Sequence, residues 1–253
     1  MSVHAAGLES MAARKRLTVL VSRPADQLTE FAARASKENV RVIPFPLSRI
    51  VPLVENYGPG FIRNEIDKSA WIFLTSANAV AVLFSSLEKH RITIPQGVSL
   101  AAIGKRTAAA IESYGYRVAL SPSDEVAEGL LQEFLSRHAS RDKQLMIPAA
   151  EQIRPILETG LFEAGYAVKK LDIYRNEEIP ATELSDIKEE KIDYYCFLSS
   201  SAVDRYNELF GNPQGLVVSI GRITTGTMKS HGWENIKELP SADLNSFWEI
   251  VDA

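Results

Sequence analysis

The chain reads as an α/β protein built from parallel sheets with helices on both faces, and three observations carry that reading. Short apolar, β-rich runs alternate with helical patterns along nearly the whole sequence, the signature of βαβ units. One pattern occurs twice: Leu74-Thr75-Ser76-Ala77-Asn78-Ala79-Val80 followed by Ile103-Gly104-Lys105-Arg106-Thr107, and Phe197-Leu198-Ser199-Ser200-Ser201-Ala202-Val203 followed by Ile220-Gly221-Arg222-Ile223-Thr224. Each copy then places a second glycine eleven residues after the first, Gly104 to Gly115 and Gly221 to Gly232. Two similar units are therefore expected.

Taken in order, Leu17 to Val21 reads as a buried parallel strand. A helix follows through Ala33, with Pro24 suited to its first turn, where a missing N–H costs nothing. Val40 to Phe45 is the next strand, and Pro44 and Pro46 make it an edge or a linker. Trp71 to Leu74 is a strong strand that turns through Thr75 to Asn78 into a helix over 79–87. Val98 to Ile103 is a strand, followed by a helix over 108–113 that Gly115 closes as C′ residue. Tyr116 to Leu120 reads as a strand, and Pro122-Ser123-Asp124 opens a helix with Leu130, Leu131 and Leu135 on one face. Gln144 to Ile147, a helix from Glu151, and Ala167 to Tyr174 make another βαβ unit. The last third repeats the scheme: strands at 194–198, 216–220 and 235–239, with helices at 202–210, 224–229 and 243–251.

Composition bounds the function classes. The 253 residues suit one large or two modest domains, and lobes of about 100–130 residues each bury a core. Hydrophobic content of 45% and charged content of 24% are those of an ordinary globular protein. A net charge of −4 argues against a general nucleic-acid binder, leaving room for a local basic cleft. The single Cys196 cannot form an internal disulfide, so a cytoplasmic, reducing setting is expected. No apolar stretch approaches the roughly 18–20 residues that span a bilayer, so no membrane partner is expected. Residues 1–16 read as a frayed leader; no apolar region follows Arg14-Lys15-Arg16, as a signal peptide would require.

Several chemistries find no support. There is no phosphate-binding G-x-x-x-x-G-K-[ST] loop and no G-x-G-x-x-G after the first strand. His4, His90, His138 and His231 lack metal-ligand spacing, and no serine sits in a G-x-S-x-G elbow. Cys196, inside an apolar run, reads as core.

What remains is the pair of small-polar turns. Ligands of parallel sheets bind beyond the strand carboxyl ends, where these turns lie. Ser76, Asn78, Ser199 and Ser201 are good N-caps, and a capped helix start still offers free N–H groups to an anion. Thr107 and Thr224 sit three residues after matched glycines, as caps or first-turn residues. Lys105, Arg106 and Arg222 beside them would make a local positive patch for carboxylates or phosphates. Tyr174 reads either as a partly buried aromatic on a linker or as a hydroxyl serving as donor or general acid. Arg154, in the helix with Pro155, reads as a solvated residue.

With both repeats in view, the chain resembles uroporphyrinogen-III synthases from Leu17 to Val251. Leu74 to Val80 and Phe197 to Val203 look like that family's T-S-x-x-A-V turns. Ile103 to Ala108 and Ile220 to Thr225 look like its I-G-x-x-T-A turns, and Gly165 to Tyr174 resembles its G-x-x-V…Y stretch. The resemblance implies two flavodoxin-like lobes joined by a two-stranded β-ladder, with the active site in the cleft between them. It implies a discontinuous lobe over 17–45 and 176–253, a second lobe over 53–167, and linkers at 46–52 and 168–175. The first strand–helix unit would then belong with the C-terminal copy.

The implied reaction is the cyclisation of hydroxymethylbilane, with loss of water and inversion of ring D, without cofactor or metal. The resemblance points to Tyr174 as the residue assisting hydroxyl departure. Ser76, Asn78, Lys105, Thr107, Ser199, Ser201, Arg222 and Thr224 would bind substrate carboxylates. A monomer is expected, with a transient contact to hydroxymethylbilane synthase. Two departures stand out: a family R-G-x-x-x-R turn reads Ala149-Ala150-Glu151-Gln152-Ile153-Arg154, and Gly226 replaces a usual alanine, which weakens that helix. The rival readings are a catalytically silent two-lobed module that binds an acidic tetrapyrrole or other anion, and a periplasmic-type sugar or phosphate binder, which the missing signal peptide disfavours.

Overall fold

The computed structural model describes residues 16–137 and 143–251. The expected leader up to residue 15, with His4, and His138 lie outside the described residues. In chain order the elements are β1 (Leu17–Val21), α1 (Thr29–Lys37), β2 (Val40–Pro44), β3 (Ser48–Pro52), α2 (Pro59–Lys68), β4 (Ser69–Leu74) and α3 (Ala77–Lys89). Then come β5 (Ser99–Ala102), α4 (Lys105–Ser113), α5 (Ala127–Arg137), β6 (Gln144–Ala150), α6 (Ile156–Glu163) and β7 (Val168–Glu178). The chain ends with β8 (Tyr194–Phe197), α7 (Ser200–Phe210), β9 (Leu216–Ser219), α8 (Arg222–Ser230), β10 (Ile236–Glu238) and α9 (Trp248–Val251).

The chain divides into two compact units, one from residues up to 49 and from 178 onward, the other 50–177. Each contains a five-stranded sheet, ordered β10-β9-β8-β1-β2 in the first and β3-β7-β6-β4-β5 in the second. The ladders among β1, β2, β8, β9 and β10, and those among β4, β5, β6 and β7, are parallel. β1 pairs with β8 through Val19↔Tyr194, Leu20↔Tyr195 and Val21↔Cys196. The N-terminal strand thus shares a sheet with the C-terminal repeat. β3 and β7 are neighbours where the chain passes from one unit to the other, and β7 also pairs with β6, so this ladder is the margin of the second sheet.

Strand alternation builds a core on each face of each sheet. In β4, Ile72 and Leu74 face one apolar cluster with Val80, Leu83, Phe84 and Ile173, while Phe73 faces another with Phe134, Leu145 and Leu161. In β1, Leu20 packs with Phe197, Tyr206 and Trp233, while Val19 and Val21 pack with Phe31, Phe247 and Trp248. Each fully buried large side chain contributes roughly 1.5–3 kcal/mol of apolar transfer energy. The end of α3 is held from outside the core: Glu55 accepts hydrogen bonds from Lys89, His90 and Ser86, which together lower its pKa to about 2.

Several boundaries differ from the sequence reading, each for a local reason. Pro24 sits at the cap position (φ −68°, ψ 155°) of a 3-10 turn over Ala25–Leu28, one residue before the expected first turn. Helices α3, α4 and α8 begin two or three residues early, because Ser76, Gly104 and Gly221 are their caps. Asn78, Lys105, Thr107, Arg222 and Thr224 are therefore first-turn residues. The strand expected at 116–120 is reduced to one bridge, Ala101↔Leu120, cut off by Pro122, which has no N–H to continue a ladder. The helix expected from Pro122 starts at Ala127, and its buried stripe is Leu130 and Phe134, with Leu135 exposed. The helix expected from Glu151 starts at Ile156, since Pro155 disfavours a helical residue before it. The final helix is split into a 3-10 turn over Leu244–Phe247 and the short α9. Gly115 and Gly232 close α4 and α8 with φ of +81° and +74°, the left-handed geometry expected of them.

α2 is absent from the sequence reading, which gave β3 only as part of the linker ladder over 46–52. The signals for α2 were Pro59 at the helix start and buried Ile62 and Ile66 one turn apart.

Candidate functional site

Chain order places a switch point in each sheet. In the second, β4 leads through α3 to β5 on one side, while β6 leads through α6 to β7 on the other. In the first, β8 leads through α7 to β9, and β1 through α1 to β2. Crevices at such reversals, beyond the strand carboxyl ends, are where parallel sheets take ligands.

At the second sheet's reversal, Ser76 caps α3 from an extended backbone (φ −160°, ψ 154°), and its Oγ accepts the Ala79 N–H at 3.0 Å. The Tyr174 hydroxyl lies 3.0 Å from the same Ser76 Oγ. A β-bulge produces this contact. Ala149 pairs with Asp172 and Ala150 with Tyr174, so β7 carries one extra residue, Ile173. Ile173 and Tyr174, although consecutive, both pack into the cluster under α3. The bulge has turned Tyr174 onto the face a regular strand would deny it. The Glu151 N–H donates to the Tyr174 carbonyl at 2.8 Å, which fixes the strand end. Tyr174 is 5% exposed.

The first sheet repeats the cap without the tyrosine. Ser199 (φ −163°, ψ 155°) accepts the Ala202 N–H at 3.2 Å, and its Oγ is 3.2 Å from that of Ser201. Ile103 N–H donates to Leu74 O and Ile220 N–H to Phe197 O, each at 3.1 Å, so the cap turn and the glycine turn stand side by side in both units. Phe45, just past β2, is the buried aromatic at the matching end of the first sheet, and it has no hydroxyl. Sequence reading missed Ser22. Its Oγ accepts the Leu198 N–H at 2.9 Å, and its own N–H donates to Cys196 O at 2.9 Å, tying β1 to the Ser199 turn. The turn Ser22-Arg23-Pro24 was visible in sequence, but nothing there brought it to a strand 176 residues away.

The cap residues Gly104 and Gly221 bring no side chain of their own to the first amides of α4 and α8. Thr107 and Thr224 are each 4% exposed and face inward from those helices. Asn78, Lys105, Arg106, Ser199, Ser201 and Arg222 are exposed. Thr225, beside Thr224, donates to Glu238 Oε2 at 2.6 Å. Ala149 and Ala150 are buried strand residues, which accounts for the missing turn there, and Arg154 is solvated, 3.8 Å from Glu128. Burial pushes the Cys196 thiol pKa up, so it is a core residue and no nucleophile. Among the described residues no group of three His, Cys, Asp or Glu could hold a metal ion, and no helix is long and apolar enough to cross a membrane.

Chemically, the arrangement offers uncapped amides and basic side chains for anions, and one buried phenol linked through a serine to a helix start. The family model described as Uroporphyrinogen-III synthase HemD matches residues 29–249. A uroporphyrinogen-III synthase of Chlorobaculum parvum is 24% identical over 226 residues, covering 85% of this chain and 89% of that protein. One of Synechococcus elongatus is 25% identical over 206 residues, covering 79% and 76%. The crystal structure of the Helicobacter pylori uroporphyrinogen-III synthetase matches with a TM-score of 0.61 at 19% identity, over 93% of this chain and 98% of that one, a likeness of fold. Because the matched stretch runs through both sheets and the turns after β4, β5, β8 and β9, the chain belongs to the uroporphyrinogen-III synthase family.

Proposed function

We propose that this protein converts hydroxymethylbilane to uroporphyrinogen III, with loss of water and inversion of ring D. Its family makes it a cyclising lyase of tetrapyrrole biosynthesis. The substrate is a flexible chain of four pyrroles bearing eight carboxylates, and two demands follow. The carboxylates need many donors, which the starts of α3, α4, α7 and α8 offer through Ser76, Asn78, Lys105, Thr107, Ser199, Ser201, Arg222 and Thr224. Thr107 and Thr224 are buried, so their contribution is chiefly the main-chain N–H at the helix start. The second demand is a proton at the departing hydroxyl.

The observation that carries the proposal is the Tyr174–Ser76 contact. The pyrrole itself expels the hydroxyl to leave an azafulvene, so the acid needed is mild. Tyr174 gives its proton to the leaving oxygen, which departs as water. The phenolate oxygen is then held by the Ser76 O–H, while Ser76 keeps the Ala79 N–H and the positive end of α3 behind it. Ring D attacks through its substituted carbon, reopening and reclosure of the spiro intermediate leave it inverted, and the proton that the last closure releases from ring D's free carbon returns to the Tyr174 phenolate. Holding the chain for that attack, against the simpler closure at the free carbon, is catalysis by orientation.

The test supplies hydroxymethylbilane made in situ and separates the products. Type III isomer in excess of the spontaneous type I product is expected; type I product alone overturns the proposal.

A further inference from the structure

The two glycine turns are alike in sequence and differ in what fills them. At α8 the space beside Gly221 is open: a Cβ there would meet nothing within 4 Å. At α4 a Cβ on Gly104 would lie 2.3 Å from Glu125 Oε2 and 3.0 Å from Glu125 Cβ. The Lys105 N–H, first of that helix, donates to the same carboxylate oxygen at 3.3 Å. Gly104 has an extended backbone (φ −169°) that any residue adopts, so what glycine supplies there is room for the carboxylate. Glu125 is exposed, in the irregular stretch before α5.

We infer that Glu125 is an internal anion that occupies the α4 turn until a substrate carboxylate displaces it, so that it weakens substrate binding at that turn while the α8 turn stands open. The inference rests on the reading of these turns as carboxylate holders. A carboxylate on an uncapped helix amide is favoured by charge and dipole, and tethering in the same chain raises its effective concentration. An incoming anion binds only the fraction of molecules from which Glu125 has withdrawn. Glu125 acts through occupancy of the turn, with no part in the bond-making step, so it sets affinity and leaves the chemical rate alone.

The test compares Glu125→Ala and Glu125→Gln with the unaltered enzyme and with Glu128→Ala, a nearby exposed acid that pairs with Arg154. Both Glu125 variants are expected to lower KM for hydroxymethylbilane by about three- to tenfold at unchanged kcat, while Glu128→Ala leaves both constants in place. Calorimetric titration with tricarballylate, which needs no turnover, is expected to show tighter binding to Glu125→Ala by a similar factor. An unchanged KM and unchanged tricarballylate affinity in the Glu125 variants overturn the inference. So does an equal fall in KM in Glu128→Ala, which would make the effect one of general surface charge. If the unaltered enzyme yields only type I product, the proposed function fails, and the titration still decides whether Glu125 holds the turn.

Discussion

The Tyr174 hydroxyl can exchange a proton with Ser76, and through Ser76 it is linked to the first turn of α3. Tyr174→Phe keeps the ring packed in the cluster under α3 and removes only that oxygen. We expect its rate of type III formation to fall by about ten- to a hundredfold, below the usual range for a lost general acid because the pyrrole supplies most of the push. Melting should change little, since a net hydrogen bond is worth about 1 kcal/mol. Rate measurement with substrate generated in situ checks it; an unchanged rate removes the acid role and leaves the fold assignment standing. Both residues could be picked from sequence one at a time, Ser76 as a cap and Tyr174 as an aromatic at a strand end. Their meeting could not be, because it depends on a bulge opposite Ala149 and Ala150. Ser22 and Glu125 escaped for the same reason: their partners, Leu198 and Lys105, are distant in sequence or across an irregular loop.

At the scale of elements, caps and prolines decide where helices start. Ser76, Gly104, Ser199 and Gly221 were all legible as turn residues, yet whether each is the cap or the residue before it is a matter of two or three positions that periodicity does not resolve. The start of α5 shows the same limit with a testable consequence. Gly129 lies in its first turn, where alanine would ordinarily gain about 1 kcal/mol in helix propensity. A Cβ there, however, would lie 2.4 Å from the Asp124 carbonyl oxygen, a main-chain atom whose position the Val126 N–H also engages. The clash outweighs the propensity, and Gly129→Ala should destabilise the protein by about 1–2 kcal/mol. Denaturant unfolding decides the sign; a more stable variant would show that the 122–126 loop yields freely.

At the scale of the molecule, each unit has a core of its own, and no cluster mixes their residues among the described ones. Phe134 is buried on the α5 side of the second sheet, 5.0 Å from the Phe73 ring and 5.4 Å from that of Tyr166. Phe134→Ala should cost about 3–5 kcal/mol. Hydrogen exchange is expected to quicken in β4 and β6 while β1 and β8 keep their protection. Equal loss of protection in both units would mean that they unfold as one.

The sequence by itself determined the fold class, the repeat and the surface where the turns lie, because apolar period, helix caps and glycine punctuation are local properties of the chain. It also carried the resemblance to a family through short motifs in a fixed order. Tertiary structure alone decided which strand lies beside which, the bulge that turns Tyr174 toward Ser76, the inward face of Thr107 and Thr224, and the carboxylate of Glu125 seated on α4. Each of these depends on the register or approach of segments that the backbone brings together only on folding, and no local pattern encodes a distance between them.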